Sequence, residues 1–137
     1  MAVPVAVSED ERQALRSAAR EVLSAQSSSE RVHRLVDAGG GTDPELWALM
    51  GELSWPGVAL PEELGGVGYG LSELALVLEE LGRHLTGTPL APTTIAAAAL
   101  LAAPAGERRD ALLRAIASGG HRVAATLEPA LESGPEL

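Results

Sequence analysis

Cysteine is absent from this chain of 137 residues, as are phenylalanine and lysine. Without cysteine the chain can form no disulfide, no thiolate metal site and no cysteine nucleophile. Its aromatic side chains are Trp47, Trp55 and Tyr69 alone. So few aromatic residues argue against a β-sandwich, whose strands favour aromatic and β-branched side chains.

Positive charge and long apolar runs are also scarce. The formal net charge is −9, and all of the basic residues are arginine. This balance excludes general nucleic-acid binding, which needs clustered cations to neutralise phosphates. The longest apolar run, 95–104, is too short to span a bilayer. The N-terminal residues lack the basic start and apolar run of a secretory signal. We therefore expect a cytoplasmic protein without a membrane span.

What the chain does contain is alanine, leucine and valine at helical spacing. Hydrophobic residues make up 46% of it, enough for the core of one domain. Small apolar residues favour closely packed helices. The predicted fold is an all-α bundle of about six helices with a short C-terminal strand or tail. The helices are predicted near 8–25, 29–38, 43–53, 71–85, 92–102 and 107–117.

Several local signals place these helices. Ser8 and Glu11 have the spacing of a capping box, and Asp43-Pro44 is typical of a helix start. The spacing of Arg12, Arg16 and Arg20 predicts a solvated ladder on one face of the first helix. The helix near 92–102 is apolar on every face, so we expect it to be buried on several sides.

The character of the sequence changes after Gly120. Residues 121–127 have the pattern of one extended strand, and a single strand needs a partner. The predicted organisation is therefore a helical domain over 1–120, followed over 121–137 by the start of a truncated β-domain or a tail. The strand would pair with another chain or with a following domain.

Four segments carry a resemblance to a known family. They are WALMGELSWPG at 47–57, LPEELGG at 60–66, GYGL at 68–71 and EELGR at 79–83. Together with the connector at Pro89 and the run ASGG at 117–120, they resemble the acyl-CoA dehydrogenase family over roughly residues 8–128. The chain looks most similar to divergent bacterial members.

The resemblance implies the N-terminal helical domain of a three-domain flavoenzyme. Complete members use FAD for α,β-dehydrogenation of acyl-CoA thioesters, with a carboxylate base in the C-terminal domain. The resemblance therefore implies an acyl-CoA substrate and either further domains or a partner subunit. We expect no catalytic residue in this chain, no FAD bound by it alone and no independent activity. The family's T-E-P-x-x-G-S-D run is only partly matched, by Thr126, Glu128 and Pro129.

The resemblance also implies a substrate site. In the family, the helix after the proline-rich connector lines the acyl-chain cavity. The matching positions are Thr93 and Thr94 at the mouth, with Ala97 and Ala98 inside, where small side chains leave room for a bulky or long acyl group. The alternative for these four residues is plain helix packing. Arg108 and Arg109 can be interpreted as ligands of the CoA phosphates or as part of a solvated face.

Other candidate sites are weaker. The glycines at 65–70 do not have Rossmann spacing, so a structural turn is favoured over a dinucleotide site. The pairs Glu62-Glu63 and Glu79-Glu80 point apart on a helix, so neither predicts a shared-proton dyad. The three histidines lack metal-ligand spacing, and no metal site is expected. They are His33, His84 and His121.

Two other functions stay open. One is a non-catalytic module that binds another dehydrogenase chain, and the other is an acyl-chain carrier.

Overall fold

The computed structural model describes residues 6–125, and within them the fold is a bundle of six α-helices. Two single 3₁₀ turns, Trp55–Gly57 and Glu62–Leu64, lie in the loop between the third and fourth helices. In this described part, no helix has both the length and the apolar character that crossing a bilayer requires. The helices are α1 Glu9–Gln26, α2 Ser29–Asp37, α3 Pro44–Glu52, α4 Leu71–Arg83, α5 Leu90–Ala102 and α6 Glu107–Ala117.

Side-chain caps confirm two of the predicted helix starts. The Ser8 hydroxyl accepts from the Glu11 amide at 3.2 Å, and the Glu11 carboxylate accepts from the Ser8 amide at 2.7 Å. Asp43 accepts from the amide of Leu46 at 3.1 Å, and Pro44 opens α3. Each cap satisfies amide donors that the first turn of a helix leaves without partners.

Two helix boundaries differ from the prediction. Helix α5 begins at Leu90, before Pro92, because a proline in the first turn removes only an amide that the helix would leave unpaired. Helix α4 ends at Arg83, and the chain reverses at Leu85 with φ 50°. Helix α5 buries Thr93, Thr94, Ala96 and Ala97, while Ile95 is 60% exposed on a remaining face.

The core has two halves. The first joins α1, α3 and α4 around side chains that include Leu23, Met50 and Val77, all fully buried. The second packs the α3–α4 loop against α5 and α6 through Leu60, Ala97 and Ile116. The two halves hold the loop and the two C-terminal helices in fixed positions, which sets the shape of the surface between them.

The arginine ladder of α1, predicted to be solvated, is only partly so, because its side chains are also ion-paired. Each arginine forms an ion pair with a glutamate of α4, and these glutamates lie about sixty residues further along the chain. The Glu80 side chain is fully buried, and the positive charge of Arg20 compensates the hydration that its carboxylate loses. The pairs are Arg12 with Glu73 at 2.9 Å, Arg16 with Glu79 at 3.1 Å and Arg20 with Glu80 at 2.9 Å.

These ion pairs predict that acid weakens the packing of α1 on α4. The hydrogen bond from Arg12 lowers the pKa of Glu73, and that from Arg20 lowers the pKa of Glu80. A carboxylate whose folded pKa lies below its unfolded value adds stability above the unfolded pKa, about 4.3. That stability is lost as pH falls through the lower, folded pKa. We expect the free energy of unfolding, measured with urea from about pH 7 to about pH 3, to fall along this course.

Glu80→Gln isolates the contribution of the buried carboxylate. The variant should be less stable than the parent at neutral pH, and its free energy of unfolding should depend less on pH because one linked proton is gone. Glu52→Gln, at an exposed position of α3, is the matched control and should follow the parent curve. Parallel curves for the parent and Glu80→Gln would contradict the prediction.

The strand predicted at 121–127 does not form over its described part. Residues 121–125 are irregular, and residues 126 and 127 lie outside the described range. The amide of His121 donates to the Ala115 carbonyl at 3.1 Å, and Val123 bonds to the side chain of Thr93. The backbone of this segment thus finds partners on α5 and α6, because no strand lies beside it in residues 6–125.

Candidate functional site

A groove of about 1090 Å³ runs between the α3–α4 loop and the C-terminal helices. Its walls come from the loop, the first turn of α4, one face of α5 and the start of α6. Most of its lining is apolar, and four of the lining positions are alanine. The apolar lining consists of Pro56, Ala59, Leu60, Pro61, Leu64, Leu71, Leu74, Ala97, Ala98, Leu101 and Ala102.

The glycines of the loop build this wall by letting the backbone fold back on itself. The amide of Val67 donates to the Gly57 carbonyl at 2.9 Å, and the amide of Gly68 donates to the Leu60 carbonyl at 2.9 Å. The amide of Tyr69 likewise donates to Val58 at 3.0 Å. Because these amides are used within the loop, they do not form the cradle of free donors that a phosphate requires. The geometry agrees with a structural turn.

Three of the four predicted substrate residues lie on the groove. Thr94, Ala97 and Ala98 all line it, on one face of α5. Ala98 is exposed and Ala97 is buried at the base. The hydroxyl of Thr94 donates within its own helix, to the carbonyls of Leu90 and Ala91 at 3.0 Å. Substrate binding by these residues stays a prediction.

Thr93, the fourth predicted residue, is directed elsewhere. It does not line the groove, and its fully buried side chain bonds to the backbone of Val123. Consecutive residues of a helix point about 100° apart, so Thr93 and Thr94 cannot share one face. The structure therefore brings Thr94, Ala97 and Ala98 together and separates Thr93 from them.

Sequence reasoning missed the opposite wall of the groove. Tyr69, Leu71 and Leu74 line it from the end of the loop and the first turns of α4. Leu71 is 70% exposed, although it begins the apolar stripe of α4. A large apolar side chain at a helix start directly after a glycine-rich loop was the available signal, but only the tertiary fold places it opposite α5.

The charged residues that line the groove come from two places in the fold. Glu62 and Glu63 stand on the loop side, and Arg109 with Asp110 stands at the start of α6. The Arg109 guanidinium bonds to the Asp110 carboxylate at 2.7 Å and donates to the Ala103 carbonyl at 2.8 Å. Arg108 is exposed and does not line the groove. The positive charge at this end is thus already paired with a carboxylate.

The buried carboxylates of the described residues lie away from the groove and are ion-paired. Arg31 lowers the pKa of Asp43 through two hydrogen bonds, Arg20 does the same for Glu80, and Arg12 lowers the pKa of Glu73 through one. Lowered pKa values make these groups weak bases. Within residues 6–125, no cluster of three or more histidine, aspartate or glutamate side chains could hold a metal ion.

Comparison with known proteins decides the family. The model of the acyl-CoA dehydrogenase N-terminal domain matches residues 9–120, which includes the groove and all six helices. The chain belongs to the acyl-CoA dehydrogenase family. The all-α bundle predicted from the helical spacing and the resemblance to this family are both confirmed.

Three acyl-CoA dehydrogenases illustrate the relationship. The chain is 41% identical over 93 residues to acyl-CoA dehydrogenase IpdE2 of Mycolicibacterium smegmatis, covering 67% of this chain and 30% of the relative. It is 36% identical over 121 residues to IpdE2 of Mycobacterium tuberculosis, covering 88% and 37%. A solved variant of the Tcur3481-Tcur3483 steroid ACAD superposes with a TM-score of 0.75 at 32% identity, covering 84% and 32%. The chain thus spans about a third of each relative.

Acyl-CoA dehydrogenase family membership implies FAD in the complete enzyme. The groove does not offer a site for the pyrophosphate of this cofactor. A dinucleotide needs free amides or unpaired cations for its pyrophosphate, whereas the loop amides are used internally and the arginine at the groove is ion-paired. An apolar ligand fits the same surface better, because alanine, leucine and proline together make up most of the lining.

Proposed function

We propose that this chain forms one wall of the acyl-binding pocket of an acyl-CoA dehydrogenase and is inactive alone. In the complete enzyme, FAD supplies the hydride acceptor for α,β-dehydrogenation of an acyl-CoA thioester. The observation that carries the proposal is the apolar groove between the loop and α5, lined by Thr94, Ala97 and Ala98. The proposed helical domain is residues 1–120, with residues 121–137 beginning the next unit, and the proposed location is cytoplasmic.

The width of the groove favours a bulky acyl group. Its volume of about 1090 Å³ lies just above the usual range for ligand pockets, about 300–1,000 Å³. The small side chains of the alanines at 59, 97, 98 and 102 leave space between the walls of the groove. Larger side chains there would narrow the groove to the width of a linear acyl chain. The solved relative is named as a steroid ACAD, which agrees with a polycyclic acyl group. We therefore propose a fused-ring acyl-CoA as the substrate class.

The carboxylates support the absence of independent catalysis. Removal of a proton next to a thioester requires a base at the substrate, with a pKa near the working pH. The buried carboxylates Glu73 and Glu80 instead face α1, and arginines lower the pKa of each. The base is therefore proposed to come from the remaining dehydrogenase domains or from a partner subunit, as the length of the relatives suggests.

Flavin absorbance and turnover test whether this chain is inactive without the remaining domains. The chain should purify without the yellow flavin absorbance and should not reduce an artificial electron acceptor with any acyl-CoA. Co-expression with the remaining dehydrogenase domains should produce a complex that contains FAD and oxidises the thioester. Stoichiometric FAD and turnover by the chain alone would refute the proposed inactivity.

Ala98→Trp tests the groove itself. The exposed Ala98 lines the groove, so an indole there fills it without disturbing the core. We expect kcat/KM for a fused-ring acyl-CoA to fall at least about tenfold in the assembled enzyme. Ala99→Trp is the matched control, since Ala99 is exposed on the same helix but does not line the groove. Equal effects of the two substitutions would exclude the groove as the acyl site.

A non-catalytic interaction module remains the second candidate. The observation in its favour is the exposure of large apolar side chains at Leu71, Leu85 and Ile95, of which only Leu71 lines the groove. Where such side chains adjoin one another, the patch that they form is typical of a surface that another protein covers. A stable complex with another dehydrogenase chain in which Ala98→Trp leaves turnover unchanged would favour this alternative.

A further inference from the structure

Thr93 makes an unusual pair of contacts. Its hydroxyl donates to the Val123 carbonyl at 3.0 Å and accepts from the Val123 amide at 3.3 Å. One side chain of α5 thus satisfies both backbone groups of a residue thirty positions away. The Thr93 side chain is fully buried, so water does not compete for these bonds.

The segment held in this way has few other attachments. Its amide at His121 bonds to the end of α6, and the side chain of Val123 packs on the cluster that contains Ala97. The flanking residues Arg122 and Ala124 are exposed. The hydroxyl of Thr93 is therefore the main polar link between this segment and the helix that forms the groove wall.

We propose that Thr93 is a positioning residue that fixes the course of the chain after Gly120 relative to the acyl groove. The proposal rests on the proposed function, because the sequence that follows contains Thr126, Glu128 and Pro129. These residues match only part of the run by which the family, in the resemblance described above, holds flavin and substrate, because Leu127 is inserted and no Gly-Ser-Asp follows. Thr93 thus acts through the backbone of Val123 and does not contact the acyl group, in contrast to the role that the sequence predicted for it.

Limited proteolysis of the full chain tests this attachment without substrate or flavin. Trypsin cleaves after arginine, and Arg122 is exposed. The peptide bond after Arg122 contains the Val123 amide, which donates to the Thr93 hydroxyl. Thr93→Val keeps the shape of the side chain but removes the hydroxyl. We expect cleavage at this bond to become about five- to tenfold faster, relative to cleavage after Arg114 in α6.

Two variants serve as controls. Thr93→Ser restores the hydroxyl and should return the cleavage rate to within about twofold of the parent. Thr94→Val removes a neighbouring buried hydroxyl whose bonds stay within α5, so it should leave the cleavage rate unchanged. An unchanged rate in Thr93→Val, or an equal increase in Thr94→Val, would overturn the proposal.

Kinetics of the assembled enzyme then distinguish positioning from substrate binding. With Thr93→Val we expect kcat to fall about fivefold while KM for the acyl-CoA changes less than about twofold, and Thr93→Ser should recover kcat. A rise in KM alone would place Thr93 at the substrate and overturn the proposal. Failure of the proposed function would appear separately, as no response to Ala98→Trp, while the proteolysis result would stand.

Discussion

Gly66→Ala is expected to destabilise the chain by about 3 kcal/mol or more. A Cβ at this position would lie far inside van der Waals contact with the carbonyl oxygen of Leu60. That carbonyl is backbone and already accepts the amide of Gly68, so it cannot swing aside without opening the loop. The free energy of unfolding, from urea titration followed by circular dichroism, measures the effect.

Gly82→Ala is the matched control for this substitution. Gly82 lies inside α4, and a Cβ there would meet no atom within 4 Å. Alanine should therefore stabilise the helix, by about 0.5–1 kcal/mol. If Gly66→Ala proved as harmless as Gly82→Ala, the loop would not have the tight return that forms the groove wall.

Ile116→Ala is expected to cost about 3 kcal/mol, within the usual range for emptying a core position. Ile116 is fully buried in the cluster that also contains Leu60, Leu64 and Ala97. The alanine would leave a cavity behind the groove, because α6 and the loop cannot both close onto it. Urea unfolding measures the loss, and it should appear without change in the slope of the titration.

Ile95→Ala makes the same chemical change at a position that is 60% exposed. It should alter the free energy of unfolding of the chain by no more than about 0.5 kcal/mol. A large loss at Ile95 would mean that another copy of the chain already covers it in solution, which the mass in solution would reveal. A small loss at Ile116 would contradict the placement of α6 against the loop.

Helix boundaries set by local chemistry were predictable. The capping residues Ser8 and Asp43 stand where the sequence placed them, and α6 has the predicted limits. Capping depends on residues within four positions of each other, so the printed sequence contains the whole interaction. The start of α5 was missed because the proline rule allows a helix to begin either at Pro92 or a little before it.

The partners of the arginine ladder and of the two threonines could not be predicted from neighbouring residues. Arginines four apart on an amphipathic helix are equally compatible with water and with a row of glutamates on another helix. The spacing of Arg12, Arg16 and Arg20 could not choose between them. The same holds for Thr93 and Thr94, because the sequence places both at a helix start without saying what faces each side.

By itself, the sequence determined the helical class, the family and most helix limits, because periodicity, caps and motifs are properties of neighbouring residues. The tertiary structure alone decided which faces meet. It paired α1 with α4, brought Leu71 and Ala98 to one groove and turned Thr93 towards Val123. The groove depends on how the loop at 54–70 folds back between α3 and α4, through hydrogen bonds such as those from Val67 to Gly57 and from Tyr69 to Val58.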